Sequence, residues 1–433
     1  MTNPSSPLAR SDRISTLDAQ AIDAEIDSVP PLAPPMPGSR GGQVLLGTSL
    51  VLIAFNLRPV FSSMSVLLPE IMSATGLSSA SASLLTTLPV LCLGLFAPLA
   101  PILARRFGAE RSLLGMLILL AIGTALRGLS SIPALFIATG MAGAGIALGN
   151  VLLPGLVKRD FPGKVALMMG MYTMSLCAGA ASAAGLTIPI EKMLDNSWPM
   201  ALAVWSLPAV VVALLWAPQA LSVKNHAQHS GFTVQGLWRD KLAWQVTLFM
   251  GLQSALAYCV YGWLAPILRS RGMDGVTAGL AVSVSVMFQV ATCLLVPPLA
   301  FRCKDQKLVN AVLAVIAVTA LVAMTVGPID GGWVWLWAGL QGVGQGGLFA
   351  AAMTVIVLRS PDAHVAAHLS SMSQAVGYTL AATGPLMVGL LHDWTGSHHA
   401  TALLFILLGI GSALFGIGAG RARLVAAKTI SME

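Results

Sequence analysis

Phe55-Asn56-Leu57-Arg58-Pro59 stands near the middle of a long apolar run, Val44 to Leu68. A helix over that run has about 25 residues and is roughly 37 Å long, enough to cross a hydrocarbon core of about 30 Å with some tilt. Arg58 is therefore expected close to the bilayer midplane, where an arginine costs about 2.5–3.5 kcal/mol even on the lenient insertion scale. Pro59 adds a second cost. It has no N–H to offer the carbonyl of Phe55, and it pushes Arg58 away from helical dihedrals. A charge and a helix break at such depth persist only where they face protein or a water-filled cavity. The stretch thus predicts helices packed around a central cavity, with Arg58 lining it and meeting an anion or strongly polar solute.

The composition agrees. Of 433 residues, 56% are hydrophobic and 9% charged, with a mean hydropathy of +0.81. A soluble domain is about 25% charged, so a membrane protein with short connections is expected. The net charge of +7 fits basic cytoplasmic loops. No basic stripe interleaved with aromatics points to nucleic acid. Cys92, Cys177, Cys259, Cys293 and Cys303 lie in or beside apolar runs without paired spacing, and read as small apolar fillers. No apolar segment follows a basic start, so no cleaved signal peptide is expected.

Residues 1–42 are polar and end in Pro30-Pro31, Pro34-Pro35 and Pro37-Gly38, the composition of a disordered cytoplasmic tail. Twelve apolar stretches follow, roughly 44–68, 80–104, 112–129, 132–157, 165–190, 198–217, 242–268, 275–301, 308–327, 332–357, 364–391 and 400–420. With the N-terminus inside, 19 of the 24 Lys and Arg residues fall in cytoplasmic segments. Only Arg127, Lys192, Arg269 and Arg271 fall outside, which leaves Arg58 as the cation at mid-depth. The bias recurs at every second loop, so both termini are expected in the cytoplasm.

The polar connection 218–241 divides the spans into two six-helix halves, 43–217 and 242–420, with a C-terminal cytoplasmic tail at 421–433. Pro101 to Arg105 echoes Pro298 to Arg302. Gly143, Gly145 and Pro162 around span 4 echo Gly342, Gly344 and Pro361 around span 10. Two parallel halves are the sequence form of an alternating-access transporter with its site near the midplane between them.

Besides Arg58, the polar residues at membrane depth are Asn56, Asn150, Tyr172, Gln253, Tyr258, Gln289, Gln341, Gln345, Gln374 and Tyr378. Each is either glue between helices or lining of the cavity. They concentrate in spans 1, 4, 5, 7, 10 and 11, while spans 3, 6, 9 and 12 are almost purely apolar. That split predicts eight inner helices and four lipid-facing ones. No Asp or Glu lies at mid-depth to neutralise Arg58, so the solute is the expected partner. Gly140, Gly143, Gly145, Gly149 and the Gly342–Gly347 run permit close helix packing. The latter lacks the strand and spacing of a nucleotide loop.

His364 and His368 share a helical face but lack a third ligand, and read as a solvated face. His392, Asp393, His398 and His399 read as a polar outer loop. Glu70, at the outer mouth, is the acid best placed for proton exchange; the alternative is a helix-end anchor. No catalytic triad or carboxylate pair is evident, so no enzyme activity, metal or cofactor is expected.

Asn56-Leu57-Arg58-Pro59 with Leu67-Leu68-Pro69-Glu70 resembles the cyanate permease and 2-nitroimidazole transporter branch of the major facilitator superfamily. So do Gly149-Asn150 with Pro154, Lys158 to Pro162, Gly170 with Tyr172, Gly251 with Gln253 and Ser254, Gly344 to Phe349, Gln374 with Gly377-Tyr378, and Gly389 to Asp393. The likeness runs over about residues 43–420. It implies an all-α fold of twelve transmembrane helices in two pseudo-symmetric halves, rocking to carry small anions or polar nitrogenous solutes. One departure is clear. After span 2 the superfamily pattern has an acidic residue where this chain has Arg105, although Arg106 and Gly108 remain. Gating through that charge pair is therefore not expected here.

The sequence thus points to a secondary transporter of the inner membrane, acting as a monomer on a small solute. Asn56 and Arg58 are central, and Asn150, Tyr172, Gln253, Tyr258, Gln345, Gln374 and Tyr378 are candidate walls. Pro59, Glu70, Arg106 and Gly108 are candidates for gating or coupling. The alternatives are a proton-driven drug exporter, which needs Glu70 as its acid, and a membrane sensor or enzyme, for which no appended domain is long enough.

Overall fold

The computed structural model describes residues 40–222 and 232–431. The expected N-terminal tail therefore lies outside the described residues, apart from Arg40 to Gly42. Among the described residues, twelve helices are long and apolar enough to cross a membrane: Gly42–Val66, Ser79–Phe96, Ala109–Leu126, Ile132–Asp160, Leu167–Met193 and Trp198–Ser222 in the first half, then Lys241–Ser270, Gly275–Ala300, Lys307–Val326, Trp333–Leu358, His364–Thr395 and His398–Ala419 in the second. They are spans 1 to 12 below. An even number of spans puts the two described chain ends on one side, here the terminal side; the opposite side is the distal side.

Span 1 is not continuous. Its first helix ends at Asn56, Leu57 and Arg58 are non-helical, and a second helix starts with Pro59 in its first turn. Proline is tolerated there because that N–H has no intrahelical acceptor to satisfy. The gap admits span 5 closely. A Cβ added at Gly179 would run into the Phe55 carbonyl oxygen and sit 3.3 Å from the Pro59 ring, so only glycine fits beneath the break. Span 7 is disturbed at a matching depth by a π-helical turn, Val260–Leu264, a distortion frequent at functional sites.

The halves meet through spans 1, 2 and 5 of the first and 7, 8 and 11 of the second. Spans 3, 6, 9 and 12 pack only within their own half, and spans 6 and 12 each present wide apolar faces such as Leu207, Leu214, Leu407 and Leu414 outward. The four outer helices expected from polarity are therefore observed, whereas six of the eight expected inner ones form the main contact between the halves, and spans 4 and 10 pack chiefly within their own half.

The connection after span 6 is more ordered than its composition suggests. A strand β1, Phe232–Gln235, pairs antiparallel with β2, Lys428–Ser431, from the C-terminal segment. Asp240 accepts from the Ala426 N–H at 2.8 Å, and the Val425 N–H donates to the Arg359 carbonyl at 2.9 Å. The segment read as a tail is thus fastened to the second half. Periodicity is no guide over two four-residue strands.

Candidate functional site

Arg58 projects from the break into an aromatic cage. Its guanidinium carbon lies 5.9 Å from the Phe61 ring centre, 5.9 Å from Tyr258 and 5.7 Å from Tyr261. Nη1 donates to the Tyr258 hydroxyl at 3.2 Å. Tyr378 meets Tyr258 edge-on at 6.1 Å, and Tyr172 feels the same positive charge from span 5. All four tyrosines of the chain are thus gathered from spans 5, 7 and 11 around one arginine of span 1. A cation over ring faces gains about 0.5–2 kcal/mol per good contact. That offsets part of the burial cost without neutralising the charge. Arg58 is half-buried, no described carboxylate pairs with it, and only Nη1 donates within the described residues, which leaves Nε and Nη2 for a solute.

Other polar residues arrange themselves behind or beside this cage. The Tyr172 hydroxyl donates to Asn150 Oδ1 at 3.4 Å, linking spans 4 and 5. Gln374 is half-buried, bonds Ser370 at 3.0 Å, and stands one helical turn from Tyr378 on the same face. Tyr261 donates to Gln289 at 3.1 Å, so span 8 orients one cage wall.

Four of the expected residues make no hydrogen bond to the cage, Gln374 among them. Asn56 is buried and turns back to the Leu52 carbonyl of its own helix at 2.9 Å. Gln345 donates to the backbone and side-chain oxygens of Gln253, at 2.9 and 3.2 Å, and both are buried. That pair joins spans 7 and 10. Conversely, Phe61 and Tyr261 belong to the cage and escaped sequence reasoning. Their signal was spacing: Phe61 follows Arg58 by three residues across the break, and Tyr261 follows Tyr258 by three along span 7.

Arg58 is also not the lone buried cation. Arg127, expected in an outer loop, is fully buried at 0% exposure. Its Nη1 donates to the Val60 carbonyl at 3.1 Å, a long side chain folding inward rather than snorkelling out.

On the distal side two links cross between the halves. Glu70 takes a bidentate pair from Arg269, both contacts at 2.6 Å, and Arg269 also donates to the Val66 carbonyl. Asp393 of span 11 accepts from the Ser79 and Ala80 N–H groups at 2.9 and 2.7 Å, capping span 2. Gly389 lies against the Ser79 carbonyl and Ser83, where a side chain would not fit. These links hold the two halves together on the distal side of the cage. Near the terminal side, Arg106 lies 5.3 Å from the Phe107 ring centre, and Gly108 joins two helices at φ +88°. Five residues beyond Arg105, Glu110 pairs with Arg159 at 2.6 Å within the first half, and Arg159 also holds Asp160.

Twelve spans in two halves about a cationic cage define a membrane transporter. A model of the major facilitator superfamily matches residues 44–366, and the chain belongs to that superfamily. It is 40% identical to the 2-nitroimidazole transporter of Escherichia coli over 385 residues, 88% of this chain and 96% of that one. It is 29% identical to the cyanate transport protein CynX of the same organism, covering 81% and 90%. An uncharacterized transporter of Bacillus subtilis shares 39%, covering 87% and 94%. Among solved structures, an inward-facing bacterial homologue of the lysosomal transporter Spinster superposes with a TM-score of 0.71 at 17% identity, over 88% of this chain and 98% of that one. A D-xylose–proton symporter gives 0.67 at 14%, over 87% and 97%. These relatives are transporters, and the chain is a multi-pass transporter of that branch rather than an enzyme.

Proposed function

We propose that the protein carries a small anionic or polar solute, cyanate-like or nitroimidazole-like, across the inner membrane by alternating access. The observation that carries this reading is Arg58, a cation with unused donors inside a cage of rings and no described acid to neutralise it. Its planar fork suits acceptors with two or three electronegative atoms in a line or plane. The tyrosine faces suit a flat solute. The names of the two Escherichia coli relatives support the same solute classes.

By the basic bias of alternate loops, the terminal side is cytoplasmic and the distal side periplasmic. The reading takes one chain as the working unit and needs no cofactor. Glu70, held by Arg269 at the distal mouth, acts in this reading as a gating residue. The drug-exporter alternative gains no support, since its one candidate acid is engaged by Arg269.

The test is counterflow in proteoliposomes with cyanate, nitrate, small carboxylates and 2-nitroimidazole, on the wild type and Arg58→Ala. Saturable exchange of at least one solute, lost in Arg58→Ala with the protein still inserted, is the expected result. Unchanged kinetics in the variant would sink the reading.

A further inference from the structure

The transport reading leaves two buried arginines unused: Arg359, whose guanidinium is satisfied by the Gln306 side chain and the Ala419 and Gly420 carbonyls, and Arg127. It closes span 3, yet its side chain is wholly enclosed. Nη1 holds the Val60 carbonyl, while Nε and Nη2 find no hydrogen-bond partner among the described residues. No described carboxylate pairs with it. An enclosed, unpaired guanidinium is expensive to keep, whereas a leucine or methionine would fill such a place at no electrostatic cost.

What it touches suggests why it is there. Val60 is two residues beyond Arg58 and one before Phe61, whose ring flanks the Arg58 guanidinium. Val60 also lines a small void together with Phe61, Tyr258 and Tyr261. Arg127 therefore grips, from within the first half, the turn that presents Arg58 to the cavity. Residues on this grip belong to one half, so the contact survives rocking of the halves against each other. Its charge is shielded by neither water nor an acid, and such a charge acts at range through a poorly polarisable interior.

We propose that Arg127 is a positioning and charge-setting residue of the transport site. It fixes the turn after the Pro59 break, and its uncompensated charge favours anions over neutral solutes in the cavity. The proposal rests on the anion reading of Arg58.

Three variants separate charge from geometry. Arg127→Gln keeps a donor and removes the charge, Arg127→Lys keeps the charge without the planar fork, and Arg127→Met removes both. Each is assayed by counterflow with cyanate and with 2-nitroimidazole at a pH where its ring is uncharged. Arg127→Gln should raise the KM for cyanate about tenfold with little change in turnover, and leave the KM for the neutral probe within about threefold. Arg127→Lys should keep the cyanate KM within about threefold of the wild type. The proposal is overturned if Arg127→Gln shifts both probes alike or neither, or if the lysine variant behaves like the glutamine one. If Arg127→Gln and Arg127→Met fail to insert, Arg127→Lys decides: a wild-type cyanate KM supports the proposal and a raised one overturns it. An active Arg58→Ala would instead overturn the reading of the site itself, so the two failures are distinguishable.

Discussion

Glu70, just beyond span 1, and Arg269, at the end of span 7, lie 199 residues apart and meet as a bidentate ion pair on the distal side. The separation is the one that relates Gly143 and Gly145 to Gly342 and Gly344, so the repeat brings near-equivalent positions face to face with opposite charge. Both side chains remain 23% exposed, which limits the pair to about 0–1 kcal/mol. Arg269→Gln should therefore shift the population of the distal-open state by up to about fivefold. Alkylation of a cysteine placed in the distal half of the cavity would report it. The exchanged pair Glu70→Arg with Arg269→Glu should restore the wild-type rate; labelling unchanged in Arg269→Gln would show that the pair does not bias the gate.

Asp393 is the second distal link, and it runs the other way, from the second half to the N-terminus of span 2. Losing an N-cap costs about 0.5–2 kcal/mol. Asp393→Ala should thus raise distal labelling by itself, and add to Arg269→Gln because the two links share no residue. A double variant no more open than either single one would show that a single contact governs closure.

Tyr258 offers Arg58 both a ring face and an acceptor. Tyr258→Phe keeps the first and removes the second, worth about 0.5–1.5 kcal/mol. The KM of the carried solute should change by no more than about tenfold, in contrast to the loss expected for Arg58→Ala. Complete inactivity of Tyr258→Phe would mean that the hydroxyl contacts the solute directly.

Two glycines make opposite predictions from sequence-identical chemistry. Gly179 lies against the Phe55 carbonyl, whereas the nearest atom to a Cβ at Gly140 is a Leu88 methyl carbon at 3.5 Å, ordinary contact. Gly179→Ala should lower the melting temperature of the purified protein by several degrees, in the 1–3 kcal/mol range of overpacking, or prevent insertion. Gly140→Ala should be near neutral. Equal melting temperatures would refute the close approach of spans 1 and 5.

The candidate site was partly legible in the chain. Arg58 and Pro59 announced themselves because a charge and a helix breaker in an apolar run are anomalies that any window detects. Tyr258 and Tyr378 were found because so few polar side chains occur at that depth. Gln253 and Gln345 look identical to them in sequence, and only packing shows that they bond each other. Arg127 misled for a similar reason: a cation one residue beyond a span can point out to water or inward, and the sequence is the same in either case.

The chain by itself determined twelve spans, their division into two halves, and a broken first helix with an arginine at its gap. These follow from hydropathy, proline chemistry and loop charge, which act over a few residues and need no knowledge of neighbours. The tertiary structure alone decided that Phe61 and the four tyrosines enclose Arg58, that Glu70 answers Arg269, and that Arg127 grips Val60. Those relationships join residues up to some 300 positions apart, as in Asp393 with Ser79. They exist only once two rigid halves dock, because docking, not local preference, chooses which side chains meet.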